Sequence, residues 1–158
     1  MTTPGSIRIG LISDTHGLMR PQVLDTLRGS DRIVHAGDIG DPAILQALAR
    51  IAPVTAVRGN NDVADWASDI RDEELITIGD KRIYVIHDAN TIRIDLVAQR
   101  IDVVVSGHSH RPLVREQRGI TYVNPGSAGP RRFSLPVSVG ELTISGSGVA
   151  ARLLTLDT

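Results

Sequence analysis

The chain has no cysteine, a single lysine and only four aromatic residues, Trp66, Tyr84, Tyr122 and Phe133. Without cysteine there are no disulfides, thiolate metal sites or thiol nucleophiles, so any metal must be held by His, Asp, Glu or Asn. So few aromatics argue against the stacking platform used by single-strand binders and leave the core to Ile, Leu, Val and Ala. Neither charge sign dominates: 17 basic and 18 acidic residues give a formal net charge of -1. That balance indicates neither disorder nor a dedicated nucleic-acid surface. No apolar run approaches the ~20 residues of a membrane span, and the opening residues MTTPGSIRIGLIS lack the basic region of a secretion signal. A cytoplasmic protein without a membrane partner is the expectation. At 158 residues, against roughly 150 per domain, one domain over 1–158 is expected, with no room for a cap.

The first half alternates strand and helix patterns. Ile7 to Ser13 reads as a buried strand, and Arg32 to Ala36 and Val54 to Val57 as two more strands, each ending in a polar, turn-prone loop. Helices are expected from Pro21 to Gly29 and from Pro42 to about Ile51, with Asp41 as a cap. Such alternation implies parallel βαβ units whose loops collect at the carboxyl ends of the strands. The second half changes style. Glu74 to Gly79 and Arg82 to His87 read as a hairpin turning at Asp80-Lys81, Thr91 to Arg100 as a helix, and Asp102 to Ser106 as a central strand. Four further strands follow, at Leu113 to Glu116, Ile120 to Asn124, Pro136 to Ile144 and Val149 to Leu156, with a turn at 145–148. Strands in excess of helices favour an α/β fold in which a two-sheet β-sandwich is flanked by helices.

Four of the five histidines, His16, His87, His108 and His110, fall at the ends of predicted strands beside Gly, Asp or Ser. Asp14, Asp38 and Asn60 occupy equivalent strand ends, so seven nitrogen and oxygen donors can converge on one sheet edge. That suffices for two metal ions. Imidazole suits Zn, Fe, Ni and Mn, whereas carboxylate and amide oxygens suit harder ions such as Mn and Mg. Two such ions ~3.5 to 4 Å apart clamp the attacking and leaving oxygens of an in-line displacement at phosphorus, so the donor set points to phosphoester hydrolysis.

Asp14-Thr-His16, Gly37-Asp38, Gly59-Asn60-x-Asp62, His87 and Gly107-His108-Ser-His110, in this order, resemble the signature of the calcineurin-like metallophosphoesterase superfamily. The His-Ala-Gly-Asp run at 35–38 and Asn-Pro-Gly-Ser at 124–127 are similar to those of its small bacterial and archaeal phosphodiesterases. The resemblance implies the four-layer αββα fold of that superfamily. It implies one metal held by Asp14, His16, Asp38 and His110, and a second held by Asp38, Asn60, His87 and His108. Asp38 is then the bridge, and Asp38, Asn60 and His108 are the catalytic candidates. A hydroxide between the ions would be the nucleophile, and the substrate a small phosphoester, most readily a diester. Manganese is the first expectation for the two divalent ions, with Fe, Ni, Zn and Mg as alternatives; a homo-oligomer stays open. The same fold resembles a retromer-coat subunit that serves protein binding, which makes a non-catalytic interaction module the rival; the complete ligand set favours the enzyme. A repair nuclease is a third option that length and charge do not support.

Two positions depart from the family pattern. Asn61 stands where larger members carry a histidine near the leaving group, and Asp88 where glycine follows the ligand histidine. Asp88, beside His87, is open to three readings: bound around the second metal beyond its direct ligands, hydrogen-bonded to the His87 imidazole, or turned away. His35, inside an apolar strand, reads as a core histidine or a support for a ligand rather than a ligand. Asp62 reads as the stabiliser of its own turn, Asn124 to Ser127 as a turn first, and Trp66 as a buried aromatic. Arg58, Arg111, Arg131 and Arg132 are weaker candidates for phosphate contact.

Overall fold

In the computed structural model, which describes residues 5–146 and 148–157, ten strands form two five-stranded mixed sheets. The chain runs β1 (Ile7–Ile12), α1 (Pro21–Leu27), β2 (Arg32–His35), α2 (Pro42–Ala49), β3 (Val54–Ala56), β4 (Glu73–Ile78) and β5 (Lys81–Ile86). It continues through β6 (Val103–Val105), β7 (Leu113–Gln117), β8 (Ile120–Asn124), β9 (Val137–Ser145) and β10 (Gly148–Leu156). The strand orders are β10-β9-β1-β2-β3 and β4-β5-β6-β8-β7. Each sheet contains a parallel run, β1-β2-β3 reaching the β3 edge of one and β5-β6-β8 at the centre of the other.

Period-two alternation assigns the strand residues to two different cores. Ile9, Leu11 and Val34 face the second sheet and meet Ile83, Val85, Val103 and Val105 between the layers. Ile12 and Ile33 point the other way, onto α1 and α2. Both helices begin at a proline in the first turn, where its fixed φ suits the helix and its missing N–H costs nothing. Asp41 caps α2 by accepting from the Ala43 N–H at 2.8 Å. Val23 and Leu27 on α1, and Ile44 and Leu48 on α2, are buried at i,i+4 spacing. Each such leucine contributes about 1.5–3 kcal/mol by leaving water.

The expected sandwich is present, but the segment 91–100 is not the helix anticipated for it. A 3-10 turn spans Ala89–Thr91, and a single turn follows in which the Gln99 N–H reaches Asp95 O at 3.0 Å; Arg100, at φ 55°, ends it. Ile92, Ile94 and Leu96 pack on Tyr84, Val104 and Ile120 at the outer face of the second sheet. These three positions alternate, which is an extended pattern, and Asp95 accepts from the Ala98 N–H, which a longer helix would turn to the carbonyl four residues back. The hairpin also turns one residue earlier than expected, at Gly79-Asp80, because Gly79 at φ 61° supplies the left-handed residue of the two-residue loop. In the turn after β9, residue 147 lies outside the described residues.

Candidate metal centre

The loops after β1, β2, β3, β5 and β6 meet at one edge of the sandwich. Asp14 N donates to Gly37 O at 3.0 Å, His87 Nδ1 to Ala36 O at 2.8 Å, and His108 N to Asp14 Oδ2 at 3.1 Å. All seven candidate ligands named from the sequence come together here, in two adjoining clusters. In the first, His16 Nε2 lies 3.3 Å from His110 Nε2, 3.8 Å from Asp14 Oδ1 and 3.7 Å from Asp38 Oδ2. In the second, His87 Nε2 lies 3.3 Å from Asp38 Oδ2 and 3.3 Å from His108 Nδ1, which is itself 3.2 Å from Asn60 Oδ1. Donors bound to one ion at about 2.0–2.2 Å stand roughly 3.0–3.5 Å apart; the second cluster has that spacing at 3.2–3.3 Å, and the first is slightly wider at 3.3–3.8 Å. Asp14 Oδ1 is also 3.5 Å from His110 Nε2 and 3.9 Å from His87 Nε2, so this carboxylate borders both clusters rather than the first alone.

The backbone is bent to make these donors converge. Asp14, His16, Asp38, His108 and His110 have φ between 46° and 73°, five of the eight non-glycine residues with positive φ among those described. Each costs on the order of 1 kcal/mol or more, and such strain gathers where geometry serves a site. Close approach is bought by glycine at two points. A Cβ on Gly59 would strike the Asp38 carboxylate, and one on Gly107 would strike Ser13 Oγ beside Asp14.

One buried atom shows what the arrangement suits. Asp14 has no exposure, and its Oδ1 has no hydrogen-bond partner, while Oδ2 accepts from Ser13 Oγ at 2.8 Å and from His108 N. An unsatisfied buried carboxylate oxygen is costly unless a cation compensates it, and three imidazole nitrogens aim at the same point. Burial accordingly pushes the Asp14 carboxyl above its ordinary value, against the lowering influence of His87, His110 and Ser13. Burial would raise Asp38 too, but hydrogen bonds with His87 and the Asn61 N–H hold it well below the usual range. The His87 imidazole loses basicity by burial and regains more from Asp38 and Asp14, so its pKa is raised.

Around the donors, several residues act through the loops. His35 is fully buried with both ring nitrogens engaged, Nδ1 accepting from Gly37 N at 3.0 Å and Nε2 facing Thr15 Oγ1 at 3.0 Å; burial pushes its pKa down to about 3. Asp62 does more than brace its own turn: it accepts from Gly59 N, Ile39 N and Gly40 N at 2.9–3.0 Å, tying the β2 and β3 loops together. Asn124 Nδ2 donates to Gly107 O at 3.0 Å and Ser109 Oγ at 3.1 Å, and Ser127 Oγ to Asp14 O at 3.1 Å, so this turn supports the site from behind. Asn61 gained no positive role from the sequence, yet its N–H and Nδ2 both donate to Asp38, at 2.9 and 3.1 Å. Only its position beside a ligand could have flagged it.

Arg58 is paired with Asp72 at 2.9 Å, Arg131 and Arg132 are exposed, and Arg111 lines a depression of ≈190 Å³. A second depression of ≈230 Å³ lies across from it, and the two share Asp88 and His108. Trp66 is half-buried against the core beneath the helices and lines neither depression.

Two clusters of imidazole and carboxylate donors at the ends of parallel strands define a metallophosphoesterase type of protein. Over residues 7–147 the sequence matches the calcineurin-like phosphoesterase superfamily domain, and the chain belongs to that family. It is 32% identical to a probable metallophosphoesterase of Methanocaldococcus jannaschii, over 97% of this chain and 83% of that one. It is 35% identical to another from Methanothermobacter thermautotrophicus, over 92% and 91%. In fold it is similar to Vacuolar Protein Sorting 29 from Cryptosporidium parvum, with a TM-score of 0.79 at 18% identity over 96% and 99%. Among the described residues no helix is long and apolar enough to cross a membrane.

Proposed function

We propose that the chain is a dinuclear metal-dependent phosphodiesterase, carried by one domain over 1–158. The observation that carries this reading is the pair of donor clusters meeting at Asp38, beside the unpartnered Asp14 Oδ1. Asp14, His16, Asp38 and His110 would hold one divalent cation, and Asp38, Asn60, His87 and His108 the other, with manganese the first choice. When bound, two such ions acidify water and neutralise charge on the phosphoryl oxygens.

The residues of the chain do the rest. Asp14 and Asp38 are the only carboxylates in the ligand set, so against two divalent ions the centre stays net positive and attracts a phosphodiester anion. Asn60 contributes a neutral oxygen and preserves that excess. The His108 side chain is 45% exposed, on the side where the two depressions open, and it faces the arriving phosphoryl group. Asn61 cannot protonate a leaving group, since an amide is no acid and its Nδ2 is bound to Asp38. Poor leaving groups are therefore disfavoured, and aryl or otherwise activated diesters are the expected substrates.

The alternative, a protein-interaction module, rests on likeness of fold; a complete and converging ligand set weighs against it. Hydrolysis of an aryl phosphodiester and the matching monoester by metal-stripped protein, titrated with manganese, tests the proposal. Manganese-dependent turnover with the diester ahead supports it. A monoester preference above tenfold, or turnover indifferent to metal, overturns it.

A further inference from the structure

His108 turns its Nδ1 into the second cluster, 3.2 Å from Asn60 Oδ1 and 3.3 Å from His87 Nε2. A ring nitrogen that binds a cation carries no proton, so the proton must sit on Nε2, and that N–H needs an acceptor. His87 solves the same problem with a backbone carbonyl, donating from Nδ1 to Ala36 O at 2.8 Å. For His108 the group facing Nε2 is a carboxylate, Asp88 Oδ2 at 3.8 Å.

Asp88 is not a loose surface acid. Its Oδ1 accepts from the Asn90 N–H at 3.0 Å, capping the Ala89–Thr91 turn, while its carbonyl accepts from Thr91 N at 3.0 Å and Thr91 Oγ1 at 2.7 Å. With one oxygen pinned, the other is directed at the ring. The residue also stands on the ridge between the two depressions, where His108 is the other shared member.

We infer that Asp88 is a positioning residue for the second cation, its free carboxylate oxygen fixing His108 in the Nε2–H tautomer that presents Nδ1 to the metal. This rests on the two-metal reading above. Carboxylates that orient a ligand imidazole are worth about 10–100-fold in metal affinity. Two substitutions separate this from capping. Asp88→Ser keeps a cap but loses the second oxygen. Asp88→Asn caps through its amide oxygen and turns an NH2 donor towards the ring, favouring the wrong tautomer.

The test is calorimetric titration of the metal-stripped full chain with manganese, with His108→Ala marking which equivalent belongs to the second cluster. In both Asp88 variants that equivalent should weaken by about 10–100-fold while the other holds. Long-range 15N–1H spectra of the metal-stripped protein, where no cation fixes the ring, should show His108 mainly as the Nε2–H tautomer in the wild type and mixed in the variants. Variants that bind both equivalents as tightly as the wild type, with His108 unchanged, overturn the inference alone. A wild type that takes up fewer than two equivalents overturns it together with the two-metal reading.

Discussion

Asp38 Oδ2 lies 3.3 Å from His87 Nε2, and the same oxygen lies 3.7 Å from His16 Nε2 in the neighbouring cluster. One carboxylate oxygen thus faces a histidine from each half of the centre, while Asn61 donates to both oxygens, its N–H to Oδ1 and its Nδ2 to Oδ2. Asp38→Asn replaces the shared charge with a neutral amide. Manganese-dependent diester turnover should fall by more than about 100-fold, beyond the loss typical of a group that merely orients a ligand, and both equivalents should weaken. Near-normal turnover would contradict the bridging role.

Asp62 has a different importance, because it satisfies three backbone N–H groups from two loops. Asp62→Ala leaves them without their acceptor in a buried setting, a loss of about 3 kcal/mol or more. Urea unfolding of the metal-stripped protein measures it, and Asp62→Asn should fall in between. A change under about 1 kcal/mol would show that water replaces the carboxylate without cost.

His35 makes stability depend on pH. Burial lowers its pKa to about 3 in the folded chain, while the unfolded chain keeps the ordinary 6.5. Between these values the unfolded state binds the extra proton. The contribution of His35 is therefore complete above pH 6.5 and is lost as pH falls towards 3, at about 1.4 kcal/mol per unit. Unfolding free energies of wild type and His35→Gln at several pH values isolate the effect. The variant should lose this slope and still bind two equivalents of manganese; loss of one equivalent would make His35 a ligand.

Gly59 leaves room for the bridge. In Gly59→Ala the new Cβ meets the Asp38 carboxylate and backbone N, so Asp38 must shift. Manganese affinity should drop at least about tenfold, the scale on which displaced ligand support is felt. Gly119→Ala is the control: Gly119 has φ 76° with open space around it, so strain is added without touching the site. Equal effects of the two substitutions on metal binding would defeat the steric explanation.

Much of this was visible in the sequence because the site is built from strand ends. An apolar run that stops at Asp14, Asp38 or His108 marks both a strand and the position of its functional loop, so the seven donors could be gathered before any coordinates. Contacts between loops were not legible. Nothing in Gly-Asn-Asn-Asp tells that Asp62 reaches Ile39 and Gly40, or that Asn61 grips Asp38. The left-handed backbone of Asp14, His16, Asp38, His108 and His110 was equally hidden, since local propensity disfavours it and only tertiary contacts impose it. The segment 91–100 misled because its length and polar residues suit a helix, whereas the alternation of Ile92, Ile94 and Leu96 carries the extended form.

The central claim is that two cations sit side by side across Asp38, and anomalous scattering from a manganese-soaked crystal tests it most directly. Two peaks about 3.5–4 Å apart are expected, one among Asp14, His16 and His110 and one among Asn60, His87 and His108, with Asp38 between them. A single peak, or two that do not share Asp38, would contradict the dinuclear centre.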